Sequence, residues 1–154
     1  MGIRHRGTDE HYMSRAIELA RQASSMNEVP VGAVLVQAGK IVGEGFNQSI
    51  SNHDPCGHAE IGALQSAGRL VRNYRLPGST LYVTMEPCIM CAGAIVHARV
   101  QRLVFSVHDA RFGAAGSLVN LVQSGFLNHQ CAVESGILHE ESLELIQGFF
   151  RSRR

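Results

Sequence analysis

Apolar positions recur along this chain in two alternating rhythms. Behind a Thr8 cap, Tyr12, Ala16, Leu19, Ala20 and Ala23 form a stripe at helical spacing, which predicts an opening helix. The period then drops to two: residues 31–37 and 41–46 read as strands joined in a hairpin about Ala38-Gly39. A second helix is expected from His58, with the turn Asp54-Pro55 before it, the apolar run Ala59, Ile61, Ala63 and Leu64 inside it, and an end near Gly68. Residues 80–84 predict a strand, Cys88 opens a helix reaching about His97 with Pro87 suited to its first position, and residues 102–107 predict another strand. A short strand is expected at 130–134, and the apolar group Leu118, Val119, Leu121 and Val122 before it suggests a further helix. The last helix is expected over 139–151, with Leu143, Leu145, Ile146 and Phe149 on its apolar side.

Strand, helix, strand in this order implies parallel pairing through a right-handed crossover and an α/β layered fold. The long connection before the last strand permits that strand to be parallel as well. With 154 residues, 45% of them hydrophobic, and no repeat or linker, the chain is expected to form a single domain over 1–154. No apolar run has the length of a membrane span. A net charge of +1 excludes strong bulk attraction to a polyanion. Locally the picture differs: of fourteen basic residues only Lys40 is lysine, and residues 149–154 place three arginines behind two phenylalanines. Arginine's planar fork suits phosphate and base recognition, although such a tail is also an ordinary solvated helix end.

The candidate chemistry lies in His58-Ala59-Glu60 and Pro87-Cys88-Ile89-Met90-Cys91. One imidazole and two thiolates fill three corners of a tetrahedron, and a catalytic zinc keeps the fourth for water or substrate. Glu60 is then free to act as general acid/base. Two helix starts would converge on one ion, and their partial positive charge favours the deprotonated sulfurs. This H-x-E and P-C-x-x-C pair is the known signature of zinc-dependent base deaminases. Cys56 is the rival fourth ligand, which would close a structural site, but it sits in an expected loop and such a site has no use for Glu60. Cys56 and Cys131 are expected instead as small, partly buried apolar residues. Residues 1–7 contain no apolar core of a secretory signal and no myristoylation pattern, so a reducing cytosol is expected rather than two disulfides. His97, His108, His129 and His139 have no ligand spacing and are expected at the surface or in hydrogen bonds.

Longer runs extend the match over nearly the whole chain. They include Glu28-Val29-Pro30-Val31-Gly32-Ala33-Val34, Gly45-Phe46-Asn47, His53-Asp54-Pro55 and Asn73-Tyr74-Arg75-Leu76. Beyond these come Glu86-Pro87-Cys88-Ile89-Met90-Cys91-Ala92-Gly93-Ala94, Asp109-Ala110, Gly113-Ala114-Ala115-Gly116-Ser117 and Phe149-Phe150-Arg151. By them the chain resembles the cytidine deaminase-like fold and, within it, the bacterial tRNA-specific adenosine deaminases. The resemblance implies a three-layer α-β-α architecture, a mixed five-stranded sheet flanked by helices, with one Zn2+ per subunit on His58, Cys88 and Cys91. It implies hydrolytic deamination of the wobble adenosine of a tRNA anticodon to inosine, with Glu60 as proton shuttle, by a cytoplasmic homodimer that binds the anticodon stem-loop. Asn47 would hydrogen-bond the flipped base, and Val29 and Met85 would line its pocket. From helix physics, main-chain N–H groups at the two helix starts, at Ala59 among them, are expected to orient the base and hydroxide. Asp109 would contact a neighbouring nucleotide, and Phe149, Phe150 and Arg151 the anticodon loop. Cys56-Gly57 replaces the usual Thr-Ala pair, and Arg111-Phe112 stands where a basic residue and a polar one are commoner.

The residues alone leave alternatives open. Asn47 offers both a donor and an acceptor for a base edge, but Asn at a strand end is also an ordinary turn residue. Phe149 and Phe150 are adjacent and cannot share one core direction on a helix, so one is available to stack on an unpaired base or to be buried at a dimer interface. Fold alone does not choose the base, and a deaminase of free cytosine, cytidine or guanine would share the ion and Glu60. A silent zinc-stabilised RNA-binding partner is the other alternative, and an intact Glu60 argues against it.

Overall fold

The period-two stretches become strands of one sheet in a computed structural model that describes residues 2–153, with side chains from residue 7. Met1, the side chains of residues 2–6 and Arg154, on which the reading of the leader and of the arginine cluster partly rests, lie outside the described residues. The elements are α1 (Gly2–Ser25), β1 (Gly32–Gln37), β2 (Lys40–Phe46), α2 (Ala59–Val71), β3 (Thr80–Met85), α3 (Ile89–His97), β4 (Arg102–Val107), β5 (Ala132–Ser135) and α4 (His139–Arg151). Sheet order is β2-β1-β3-β4-β5, with β1 antiparallel to β2 and β3, and β3, β4 and β5 mutually parallel. Ala38 and Gly39 carry φ of 51° and 73°, the left-handed pair that a two-residue hairpin turn requires.

Alternation along the strands builds the two cores. Ala33, Leu35, Leu81, Val83, Leu103 and Phe105 pack against α2 and α3, while Val34, Val36, Tyr82 and Val104 pack against α1 and Leu145 of α4. The result is the expected three-layer α-β-α arrangement. Registers Gly32↔Phe46, Ala33↔Val83 and Met85↔Val107 bring the ends of β2, β3 and β4 to the edge where β1 begins. Gly45 lets α2 lie directly on the β2 backbone: a Cβ there would collide with the carbonyl of Ala59. Close approach at that point fixes the first turn of α2 at the same edge. Among the described residues, no helix is long and apolar enough to cross a membrane.

Several boundaries depart from the sequence reading. Helix α1 begins at Gly2, so Thr8 stands inside it; no proline in residues 2–7 stops the helix earlier. Helix α2 passes Gly68 because Val71 still packs on the core, and Arg72 closes it with φ 57° and its N–H on the carbonyl of Gly68. Cys88 is the cap of α3, so Pro87 precedes the cap instead of holding the first helical position; its carbonyl accepts the Ala114 N–H at 2.8 Å. Residues 118–122 form no helix. Leu118 and Val119 are exposed while Val122 is buried, and the neighbouring Ala115 and Ser117 N–H groups donate to the Glu86 carboxylate. Strand β5 starts two residues late because the Cys131 N–H pairs with the Val122 carbonyl.

Candidate active site

His58 and Cys88 occupy equivalent positions, each capping a helix with extended backbone at ψ 153° and 178°. Cys91 follows in the first turn of α3. His58 Nδ1 lies 3.5 Å from Cys88 Sγ and 3.6 Å from Cys91 Sγ, and all three ligand atoms fall within 4.8 Å of one another. A tetrahedral zinc with bonds of about 2.3 Å to sulfur and 2.0–2.1 Å to nitrogen separates such atoms by about 3.5 Å, so the donor set fits zinc in type and spacing. Cys56 is not part of this cluster. It is exposed, against expectation, because Asp54 Oδ1 accepts its N–H and turns the loop outward at that point. Cys131 is buried, as expected.

The electrostatics divide sharply within this small space. A hydrogen bond from Cys91, against the cost of burial and with the His58 imidazole alongside, pushes Cys88 down to about 3. The same contact, with burial, pushes Cys91 well up. The Cys88 contact also raises His58. Glu60, only 4% exposed, is pushed up to about 7 by burial.

A cavity of about 450 Å³ opens above these groups, with His58, Glu60 and Cys88 at its floor and Val29, Val31 and Met85 in its walls. Asn47 lines it too, and its Oδ1 accepts the Ala59 N–H at 2.9 Å. The Asn47 carbonyl thus satisfies the start of α2 while the side chain lines the cavity.

The model of the cytidine and deoxycytidylate deaminase zinc-binding region matches residues 6–107. Over 95% of this chain, the tRNA-specific adenosine deaminase of Haemophilus influenzae is 50% identical, with 85% of its own length covered. That of Bacillus subtilis is 44% identical over 95% of this chain and 91% of its own. The chain belongs to the tRNA-specific adenosine deaminase family. A solved structure from a study of A-to-I editing by tRNA:A34 deaminases at the wobble position of transfer RNA superposes with a TM-score of 0.85 at 40% identity, covering 88% of this chain and 98% of that one.

The remaining residues singled out by family resemblance separate into rim and core. Phe150 and Asp109 line the cavity. Phe149 does not: it is 8% exposed, and Arg153 lies over its ring at 3.5 Å. Of the two adjacent rings only Phe150 reaches the opening, because α4 turns Phe149 toward α1. Arg151 is exposed beside Phe150 in a separate shallow depression. Ala59 also falls away from the cavity; it is wholly buried and its N–H is used on Asn47. Asp109 Oδ1 accepts the N–H groups of Arg111 and Phe112, so its first duty is to shape its own turn. His108 and His129 are hydrogen-bonded and His97 and His139 exposed or half-exposed, as expected of histidines without ligand spacing.

Four contributors escaped the sequence reading, Val31 in the cavity wall among them. Phe112 lines the cavity from the loop after β4. Glu86, also lining it, accepts hydrogen bonds from the N–H groups of Asp109, Ala115 and Ser117 and from the Ser117 hydroxyl. Glu28 does the same for the loop before α2, accepting from Ile50 N–H, Ser51 N–H and Ser51 Oγ. Both carboxylates stand in the runs Glu28-Val29-Pro30 and Glu86-Pro87-Cys88, where an acidic residue leading into apolar ones was the available signal.

Proposed function

We propose that this chain hydrolyses the wobble adenosine of a tRNA anticodon to inosine and ammonia. The observation that carries the chemistry is Glu60, enclosed at the floor of the cavity beside His58, Cys88 and Cys91. The choice of substrate is supported by relatives 50% and 44% identical over 95% of the chain.

His58, Cys88 and Cys91 would hold one zinc ion per subunit. Bound there, zinc is a Lewis acid that brings the pKa of a water near neutrality and so supplies a nucleophile at physiological pH. Glu60 takes the water proton and delivers it to N1 of the adenine as C6 is attacked; a second transfer through its carboxylate completes the departing ammonia. A carboxyl held near 7 by burial suits that traffic, since a group that both accepts and returns a proton works best close to ambient pH. Asn47 Nδ2 donates to the base edge, while Val29 and Met85 give the base apolar walls and keep bulk water out. An unpaired loop base enters such a site at less cost than one stacked in a duplex.

A homodimer is part of this proposal, with a cytoplasmic location following from the tRNA substrate. The dimer is supported by a hollow of about 960 Å³ along α2 and α3, lined by Ile61, Leu64, Tyr74 and Leu76. Tyr74 there and Leu70 nearby are exposed, as suits an apolar face covered by a second copy.

The test offers purified zinc-loaded protein an anticodon stem-loop with a wobble adenosine, alongside free adenosine, guanine and cytidine, and reads inosine by mass spectrometry. Inosine in the stem-loop alone is expected. Turnover of a free base or nucleoside with the stem-loop untouched would overturn the tRNA assignment and leave the zinc chemistry standing.

A further inference from the structure

We infer that Phe112 is a stacking platform for the nucleotide next to the one being deaminated. The inference rests on the RNA reading above. Phe112 and Phe150 both line the cavity, yet they are 58% and 48% exposed. A single exposed phenylalanine is unremarkable on a protein surface. Two that reach one polar-floored opening from unrelated elements, the loop after β4 and the end of α4, require a ligand with flat apolar faces to recover the burial they lack. Unpaired RNA bases present such faces, and stacking on them needs no particular base identity.

The loop geometry adds a second argument. Asp109 Oδ1 accepts the N–H groups of Arg111 and Phe112 at 3.0 and 3.2 Å, and its carbonyl accepts that of Gly113 at 2.8 Å. Its own N–H is anchored on Glu86 at 3.0 Å. The backbone that carries the ring is thus closely bonded before the ligand arrives, which lowers the ordering cost of binding. Arg111 holds its guanidinium 5.2 Å from the Phe112 ring centroid, so a cation able to attract phosphate stands beside the platform. Glu60 and the metal-ligating residues handle the target base at the floor; Phe112, at the rim, meets its neighbour.

The experiment uses stem-loops carrying 2-aminopurine immediately 5′ or immediately 3′ of the target adenosine, titrated with zinc-loaded wild type, Phe112→Ala and Phe112→Tyr. Fluorescence quenching at one of the two positions is expected with wild type, lost in F112A and restored in F112Y. The Kd of F112A should rise between about 5-fold and about 150-fold, the range set by stacking of one base on one aromatic ring. On a stem-loop that is abasic at that position, wild type and F112A should bind equally, which a general loosening of the loop would not produce. Unchanged quenching in F112A, or a penalty that persists on the abasic RNA, overturns the stacking role. Inosine formation on the same stem-loops separates the failures: inosine made normally with unchanged quenching removes the Phe112 inference alone, whereas neither binding nor inosine with wild type overturns the tRNA reading and this inference together.

Discussion

Glu60 and Glu86 line the same cavity and each is 4% exposed, yet their environments drive them in opposite directions. For Glu60 burial dominates and the carboxyl rises to about 7. For Glu86 burial acts in the same sense, but the Ser117 hydroxyl and the N–H groups of Asp109, Ser117 and Ala115 outweigh it and hold the carboxyl below the ordinary carboxylate range. His108 Nδ1, 3.3 Å away, adds a further polar neighbour. Burial sets the cost of charge, and the donors around the group decide whether that cost is met. The floor thus holds a carboxyl whose raised pKa suits the proton transfer proposed for it, and the wall a carboxylate that stays charged and holds a loop in place.

Four substitutions would break or sharpen that contrast. The largest effect is expected outside the pair, at Cys88→Ala, which removes one of three ligands and should abolish both zinc content and activity; full metal retention, read by elemental analysis, would sink the ligand set. Next comes Glu60→Gln, which should keep its zinc and lose at least ~100-fold in kcat, the usual worth of a positioned general acid/base. Glu86→Gln should act on the fold: it replaces an acceptor with an amide that cannot serve all of its donors, at about 1–3 kcal/mol for a buried donor left unpaired, seen as a lower midpoint in urea unfolding.

Glu28 belongs with Glu86 in this comparison, and its effect should be the smallest. Burial opposes its ionisation, but Ser51 Oγ and the N–H groups of Ser51 and Ile50 outweigh it and lower its pKa from 4.5. A carboxylate depressed by folding contributes stability that is complete above its unfolded pKa and lost as pH falls through the folded one. The stability gap between wild type and Glu28→Gln, about 1 kcal/mol, should therefore be present at pH 7 and shrink below the ordinary carboxylate range, when measured by unfolding at pH 7, 5 and 3.5. A gap that widens on acidification would place Glu28 with Glu60 instead.

Much of the architecture was legible because it is periodic. Residue parity along 33–36, 81–83 and 103–105 decides which core each side chain enters, and the strand ends then bring His58, Cys88 and Cys91 together. The H-x-E and P-C-x-x-C spacing is local, so the floor could be read directly. The rim could not. Residues 118–122 have the apolar content of a helix, but nearby backbone N–H groups are claimed by a carboxylate 29 and 31 positions earlier in the chain, which no local pattern encodes. Adjacent Phe149 and Phe150 pointed to one buried and one free ring without saying which; the stack of Arg153 on Phe149 settles it. Thr8 and Gly68 were read as helix boundaries from propensity, and tertiary contacts of the kind Val71 makes override propensity easily.

The most direct measurement compares Glu60→Gln and Glu86→Gln on one anticodon stem-loop, recording RNA affinity and the single-turnover rate of inosine formation for each. Glu60→Gln should bind the stem-loop as wild type does and convert it at least ~100-fold more slowly, while Glu86→Gln should bind more weakly and convert what it binds at close to the wild-type rate. A Glu60→Gln variant that forms inosine at the wild-type rate would contradict the account.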